Sequence, residues 1–159
     1  MPVELVDLRP VSDNVDGLTV VHTDATDLCG FANDSLDSVS SLHAAEHFGL
    51  GRYGDPVDPA ACFRFMKALA RVLAPGGRLY FSVPVGRERV EFNAHRVFSP
   101  QSVLDAFSGL RLLSFAAVLD DARLHRDIAP AQAAVADCAC GIFEFGKDAA
   151  RGREEALRA

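Results

Sequence analysis

Long apolar runs are missing from this chain: none approaches the roughly 20 residues that a membrane-spanning helix needs. Paired C-x-x-C cysteines are missing as well. Cys29, Cys62, Cys138 and Cys140 are scattered, and the opening residues do not read as a secretory leader. The expectation is therefore reduced thiols in a cytoplasmic protein. Cys138 and Cys140 form a C-x-C inside an apolar run, which strand packing explains better than half of a metal site does. Lysine is nearly absent: Lys67 and Lys147 are the only two. Arginine carries the remaining positive charge, a compositional bias. Sixteen basic against twenty-two acidic residues give a net charge of -6. That supplies no basic field for nucleic acid or an anionic membrane. There is no internal repeat and no low-complexity segment.

What is present suits one domain. The chain has 159 residues, 49% of them hydrophobic and 24% charged. A chain of this length buries roughly 70% of its unfolded surface and needs no disulfide or metal staple.

Strands are expected over 3–7, 18–22 and 36–42, then over 78–84, 110–119 and 138–145. Phe63, Met66, Leu69, Ala70, Val72 and Leu73 recur at helical spacing. Asp58 and Pro59 suit that helix as N-cap and first-turn proline, and Pro75, Gly76 and Gly77 suit its stop. Ser99 and Pro100 start a second helix in the same way. Strands alternating with helices predict an α/β fold with a mostly parallel sheet. The run over 79–83 is apolar on both faces, so it belongs in the middle. Ligands in such folds sit beyond the carboxyl ends of the strands. Attention falls on Asp7, Asp24, the segment 43–47, the segment 84–86 and the loop to Arg96.

Two short motif matches fall within a dozen residues. His43, Glu46 and His47 fit H-x-x-E-H, an inverted zinc-peptidase spacing. That chemistry needs both histidines on one helix, yet His43 follows a strand-like run, and Gly49 and Gly51 break any helix soon after. Gly49, Gly51 and Gly54 fit the dinucleotide fingerprint G-x-G-x-x-G. No strand precedes Gly49 directly, and Pro56 and Pro59 leave no helix opening at Gly54. The expectation is an exit turn at 43–47, then a loop with turn glycines, and no metal.

The order of the pieces resembles the class I S-adenosylmethionine-dependent methyltransferases. "VELVDLRP" resembles their second strand, "LTVVHTDATDL" the third, and "FANDSLDSVSSLHAAEH" the fourth. "ALARVLAPGGRLYFSVPVG" resembles the helix, turn and fifth strand, and "NAHRVFSPQSVLDAF" the segment that follows. Within that superfamily, "EHFGLGRYGDPVDP", "VPVGRERVEFNAHRVFS" and "CACGIFEFGK" look like a methyltransferase-like family of unknown function first described from Caenorhabditis. The resemblance implies a Rossmann-like domain over 1–147 with a charged tail over 148–159.

It also implies S-adenosylmethionine as cofactor, with Asp7 at the ribose and Asp24 and Ala25 beside the adenine. Either acid could instead be an ordinary turn residue. Glu46, His47 and His95 would be catalytic, each a candidate base on a small-molecule or carbohydrate-like acceptor. Glu46 could instead anchor the glycine loop through backbone N–H groups. Arg52, Tyr53, Asp55 and Arg96 would contact the substrate, or His95 and Arg96 would tether loop to helix. The family's first strand and acid-x-Gly-x-Gly loop should precede residue 3, where this sequence has Met1 and Pro2. The strand order 3-2-1-4-5-7-6 puts that strand between those at Val3 and Leu36. A truncated start, a degenerate homologue and a strand donated by a partner or second copy all fit. Of these, truncation is expected. This chain alone should then bind the cofactor weakly or not at all. The other reading is a non-catalytic interaction module that uses the open sheet edge.

Overall fold

The computed structural model describes residues 2–9, 11, 15–52, 54–92 and 94–149. In chain order they form β1 (Val3–Val6), β2 (Leu18–Val21), β3 (Leu36–Leu42), a 3-10 turn (Ala45–His47), α1 (Ala61–Val72), β4 (Leu73–Val85), β5 (Arg89–Val90), β6 (Arg96–Val97), α2 (Pro100–Ala106), β7 (Arg111–Val118), β8 (Leu124–Arg126), α3 (Pro130–Ala133) and β9 (Ala139–Gly146). Tyr53 and the tail from 150 lie outside the described residues. No helix among the described residues is long and apolar enough to cross a membrane.

Five strands pair in the order β3, β4, β9, β7, β8. β3 and β4 are parallel, and β9 runs antiparallel between β4 and β7. Hence β3, β4 and β7 share one direction. β1 and β2 form a separate parallel pair, and β5 and β6 a small antiparallel ribbon. The α/β class expected from the sequence is what the chain adopts. β2 and β1 correspond to strands three and two of the methyltransferase order, and β3, β4, β9 and β7 to strands four, five, seven and six. Among the described residues no strand bridges β1 and β3, so each of these pairs on one side only.

Alternation along the strands decides which face is buried. Leu79, Phe81, Val83 and Val85 of β4 pair with Phe145, Phe143, Gly141 and Ala139 of β9, and all eight are buried. Phe107, just after α2, packs edge-on to Phe81 at 5.0 Å and against Phe145 at 4.8 Å. α1 covers the same core with Cys62, Phe65, Met66, Leu69 and Val72, spaced to share one helix face. Each fully buried large side chain contributes about 1.5–3 kcal/mol. On the opposite sheet face Leu42, Tyr80 and Ile142 are exposed, while Ser82 and Pro84 are buried.

Two boundaries differ from expectation. α1 begins at Ala61 with Ala60 as its cap, not Asp58. Asp58 instead makes the approach turn, its carboxylate accepting from Ala60 N and its carbonyl from Ala61 N. Pro75, Gly76 and Gly77 do not separate helix from strand; they lie inside β4. Leu36 pairs with Leu73 and Ser38 with Arg78, so the three residues sit in an irregular bulge. Lys147 holds that bulge: its backbone bonds Gly76 and Gly77, and its Nζ donates to Asp34, Ala70 O and Leu73 O. A cation there satisfies carbonyls at the end of α1 and complements the helix dipole. β5, β6, β8 and α3 are too short to show a period in the sequence. Ser99, in contrast, caps α2 as expected, accepting from Gln101 N, with Pro100 first in the helix.

Candidate functional site

Where β3 ends, the chain turns through a strained residue. His43 has φ +52°, a left-handed conformation uncommon outside glycine, and its N–H donates to Ser82 O at 2.9 Å. The 3-10 turn that follows drives Glu46 inward until only 2% of it is exposed. The expected exit turn is therefore present at 43–47, and no zinc helix forms. Among the described residues no group of three His, Cys, Asp or Glu side chains is arranged to hold a metal.

Three expected residues come together here. Glu46 Oε1 lies 3.1 Å from His43 Nδ1 and 3.9 Å from His47 Nε2. The rings of His47 and His95 meet edge to face at 6.4 Å. His47 Nδ1 is 3.1 Å from Ala94 O. A carbonyl can only accept, so Nδ1 carries the proton and Nε2 is the accepting nitrogen. One oxygen of Glu46, Oε2, is buried and has no hydrogen-bond partner. Leaving such an oxygen unpaired costs about 1–3 kcal/mol, or more when charged.

Arg96 is buried and braces the turn from below, donating Nη1 to Phe48 O at 2.5 Å. Its guanidinium is thus directed at backbone carbonyls. Arg52, on the loop, donates to Ala94 O at 2.8 Å. Asp55 ties the glycine loop together, one carboxylate oxygen accepting from Gly49 N at 2.8 Å and Gly51 N at 3.3 Å. Asp55, and not Glu46, is thus the acid that anchors the glycine loop. Gly49 is obligatory: its φ is +71°, and a Cβ there would overlap the carbonyl oxygen of Asp58.

Sequence reasoning missed Cys140. Its Sγ lies 3.1 Å from His43 Nε2, across 97 positions of chain, and no local spacing signals such a pair. The link is the sheet register: Leu42 pairs with Ser82 of β4, and Pro84 pairs with Cys140 of β9. Burial raises the Cys140 thiol above its ordinary value, and the neighbouring Glu46 pushes the same way. Cys138 and Cys140 border an open groove of about 560 Å³, shared with Val118, Leu119 and Asp120.

The model of a family described as "Caenorhabditis protein of unknown function, DUF268" matches residues 17–129. The chain belongs to this DUF268 family. No curated protein matches it. Its fold is similar to that of N-methyltransferase NodS from Bradyrhizobium japonicum WM9 in complex with S-adenosyl-l-homocysteine, with TM-score 0.58, 14% identity, and coverage of 91% of this chain and 65% of that one. It is also similar to the [4+2]-cyclase SpnF, with TM-score 0.59, 17% identity and coverage of 84% and 57%. A third is 1,6-didemethyltoxoflavin-N1-methyltransferase from Burkholderia thailandensis, with bound 1,6-didemethyltoxoflavin and S-adenosylhomocysteine, at TM-score 0.58, 15% identity and coverage of 91% and 60%. The DUF268 chain thus has a Rossmann-like, methyltransferase-like fold and spans less than two thirds of each of these three. A cyclase among the neighbours shows that the fold alone does not set the chemistry.

The two acids that the sequence singled out for the cofactor follow β1 and β2. Asp7 accepts from Arg9 three times, through N at 2.8 Å, Nε at 3.0 Å and Nη2 at 2.8 Å. These bonds, the side-chain ones first, hold its carboxyl down at about 2. It is an ionised acceptor, as a ribose contact requires, but Arg9 already occupies both oxygens. Asp24 Oδ1 accepts from Thr26 N at 2.8 Å, a turn bond. Ala25 is half-buried and packs against the core. Both acids thus make local turn bonds to residues two positions on.

Proposed function

We propose that this DUF268 chain carries the acceptor side of a methyl-transfer site. S-adenosylmethionine, when bound, would supply an electrophilic methyl group. Asp7 would hold the ribose after exchanging Arg9 for its hydroxyls, and Asp24 and Ala25 would flank the adenine. His47 is the residue placed to take the acceptor's proton. The observation that supports this is its bond to Ala94 O, which in a neutral ring leaves Nε2 as the accepting nitrogen at the carboxyl end of β3. Glu46 and His95 flank it and hold its orientation. Arg52, Asp55 and Arg96 hold the surrounding loop rather than the acceptor. The acceptor class is a small molecule with a hydroxyl or amine, a carbohydrate-like one included.

This chain should bind the methyl donor weakly, because Arg9 already occupies both oxygens of Asp7 and must be displaced. Calorimetric titration tests that directly, and micromolar affinity would overturn it. With labelled donor in the excess that weak binding requires and a pool of sugar and amine acceptors, His47→Ala should lose the transfer seen in the wild type while donor affinity is unchanged. Equal rates in the variant would remove His47 from the reaction.

A second reading is supported by one observation: β1 and β3 each leave one edge unpaired among the described strands. Open edges take up strands. In this reading the chain is an interaction module that accepts a strand from a partner or a second copy. Light scattering separates the two: a stable dimer favours strand exchange, and a clean monomer counts against the second copy.

A further inference from the structure

Nothing in methyl transfer to an outside acceptor uses Cys140, yet it ends a chain of three contacts. Sγ meets His43 Nε2 at 3.1 Å, and His43 Nδ1 meets Glu46 Oε1 at 3.1 Å. With Glu46 accepting from Nδ1–H, Nε2 presents its lone pair to the thiol. A nucleophile, a base in contact with it, and an acid that orients the base define an activated nucleophile on any fold. Three further features agree. His43 is held in a left-handed conformation at φ +52°, strain of the kind that accumulates at working sites. Glu46 is 2% exposed and keeps one oxygen unpaired, an isolated acid aimed at this cluster. Cys140 is only partly buried and borders the groove at the carboxyl end of β7, a route by which a small molecule approaches it.

We propose that Cys140, His43 and Glu46 form a nucleophilic thiol site that takes a carbon electrophile bearing a leaving group. The bond formed joins Cys140 Sγ to that carbon. The bond from carbon to leaving group breaks, its electron pair departs with the leaving group, and the thiol proton passes to His43 Nε2. Glu46 is a positioning residue: it meets the His43 imidazole at 3.1 Å, and His47 at 3.9 Å, but not the sulfur, and so fixes the His43 tautomer and stabilises the imidazolium. Burial keeps the proton on sulfur in the resting state, so His43 acts during the attack and not as a partner in a standing ion pair.

The probe is iodoacetamide, with loss of iodide, applied to the native 159-residue chain. Peptide mass spectrometry follows each cysteine separately. Cys29 and Cys138 are exposed and serve as internal references, while Cys62 is buried. Cys140 should alkylate faster than either exposed cysteine despite its partial burial. His43→Asn, which tolerates the left-handed backbone, should slow Cys140 by about 100-fold and leave Cys29 unchanged. Glu46→Gln keeps an acceptor for Nδ1–H but not the charge and should slow it less. A Cys140 rate at or below that of Cys29 overturns the proposal, and so does a rate unaffected by His43→Asn. Should a variant fail to fold, judged by circular dichroism, the wild-type ranking of the four cysteines still decides.

Discussion

A single buried cation holds the site turn in place. Arg96 is 7% exposed and donates to the carbonyl of Phe48. Arg96→Met would bury a similar length of chain but strand that carbonyl. It should destabilise by about 2–3 kcal/mol, read as a lower urea midpoint. Arg96→Lys should recover part of the loss, since it keeps the charge without the planar fork. At the other end of the site, Asp7 makes a pH-dependent contribution. Its folded value of about 2 lies below the ordinary 3.8, so the stabilisation is present above the unfolded value and vanishes as pH falls through the folded one. Arg9 is 74% exposed, so screening keeps the pair under about 1 kcal/mol. Urea midpoints of wild type and Asp7→Asn should differ near neutrality, converge between about pH 4 and pH 2, and coincide below that. A gap that persists at the lowest pH would place the effect of the substitution elsewhere.

Elements show where sequence reading succeeds and where it stops. Two of the three glycines of the site loop, Gly49 and Gly54, make a matched test. Gly49→Ala drives a Cβ against the Asp58 carbonyl and should cost at least about 2 kcal/mol. Gly54 has φ +84°, and a Cβ there would meet nothing within 4 Å, so Gly54→Ala should cost only the left-handed strain, about 1–2 kcal/mol. Melting temperatures that fall equally would remove the steric argument. The glycines were legible as turn formers, but the carbonyl that makes one of them obligatory was not. Likewise β3, α1 and α2 were legible because the period of their apolar residues and a Ser-Pro cap are local signals. The bulge in β4 was read as a break because Pro75, Gly76 and Gly77 ordinarily punctuate. What keeps them in the strand is the Lys147 backbone, 70 positions away. The site divides the same way. Glu46, His47 and His95 were found by following strand ends, whereas Cys140 depends on the register of three strands.

At the scale of the whole molecule, stability should be uneven. β4 is paired along both edges, by β3 and β9, and carries Leu79, Phe81, Val83 and Val85 fully buried. β1 and β2 make only four residue pairs, and Val3 and Leu5 are exposed. An isolated pair of strands is marginal in water, and parallel pairs are slightly weaker per residue than antiparallel ones. Two attachments hold the ribbon: Val6 packs on the core, and Arg71 of α1 donates to the carbonyls of Asp27, Leu28 and Phe31 in the loop after β2. Local opening should therefore release β1 and β2 long before β4 and β9. Native-state hydrogen exchange should show the slowest amides at Phe81 and Phe143, exchanging by global unfolding. Amides of β1 and β2 should exchange faster by about two orders of magnitude or more, equivalent to an opening at least about 2.7 kcal/mol easier. Arg71→Met should widen that gap by freeing the loop without touching β4. A partner that adds a strand between β1 and β3 should close it, because it would pair both open edges at once. Protection of β1 equal to that of β4 in the chain alone would mean that the ribbon is already joined to the larger sheet.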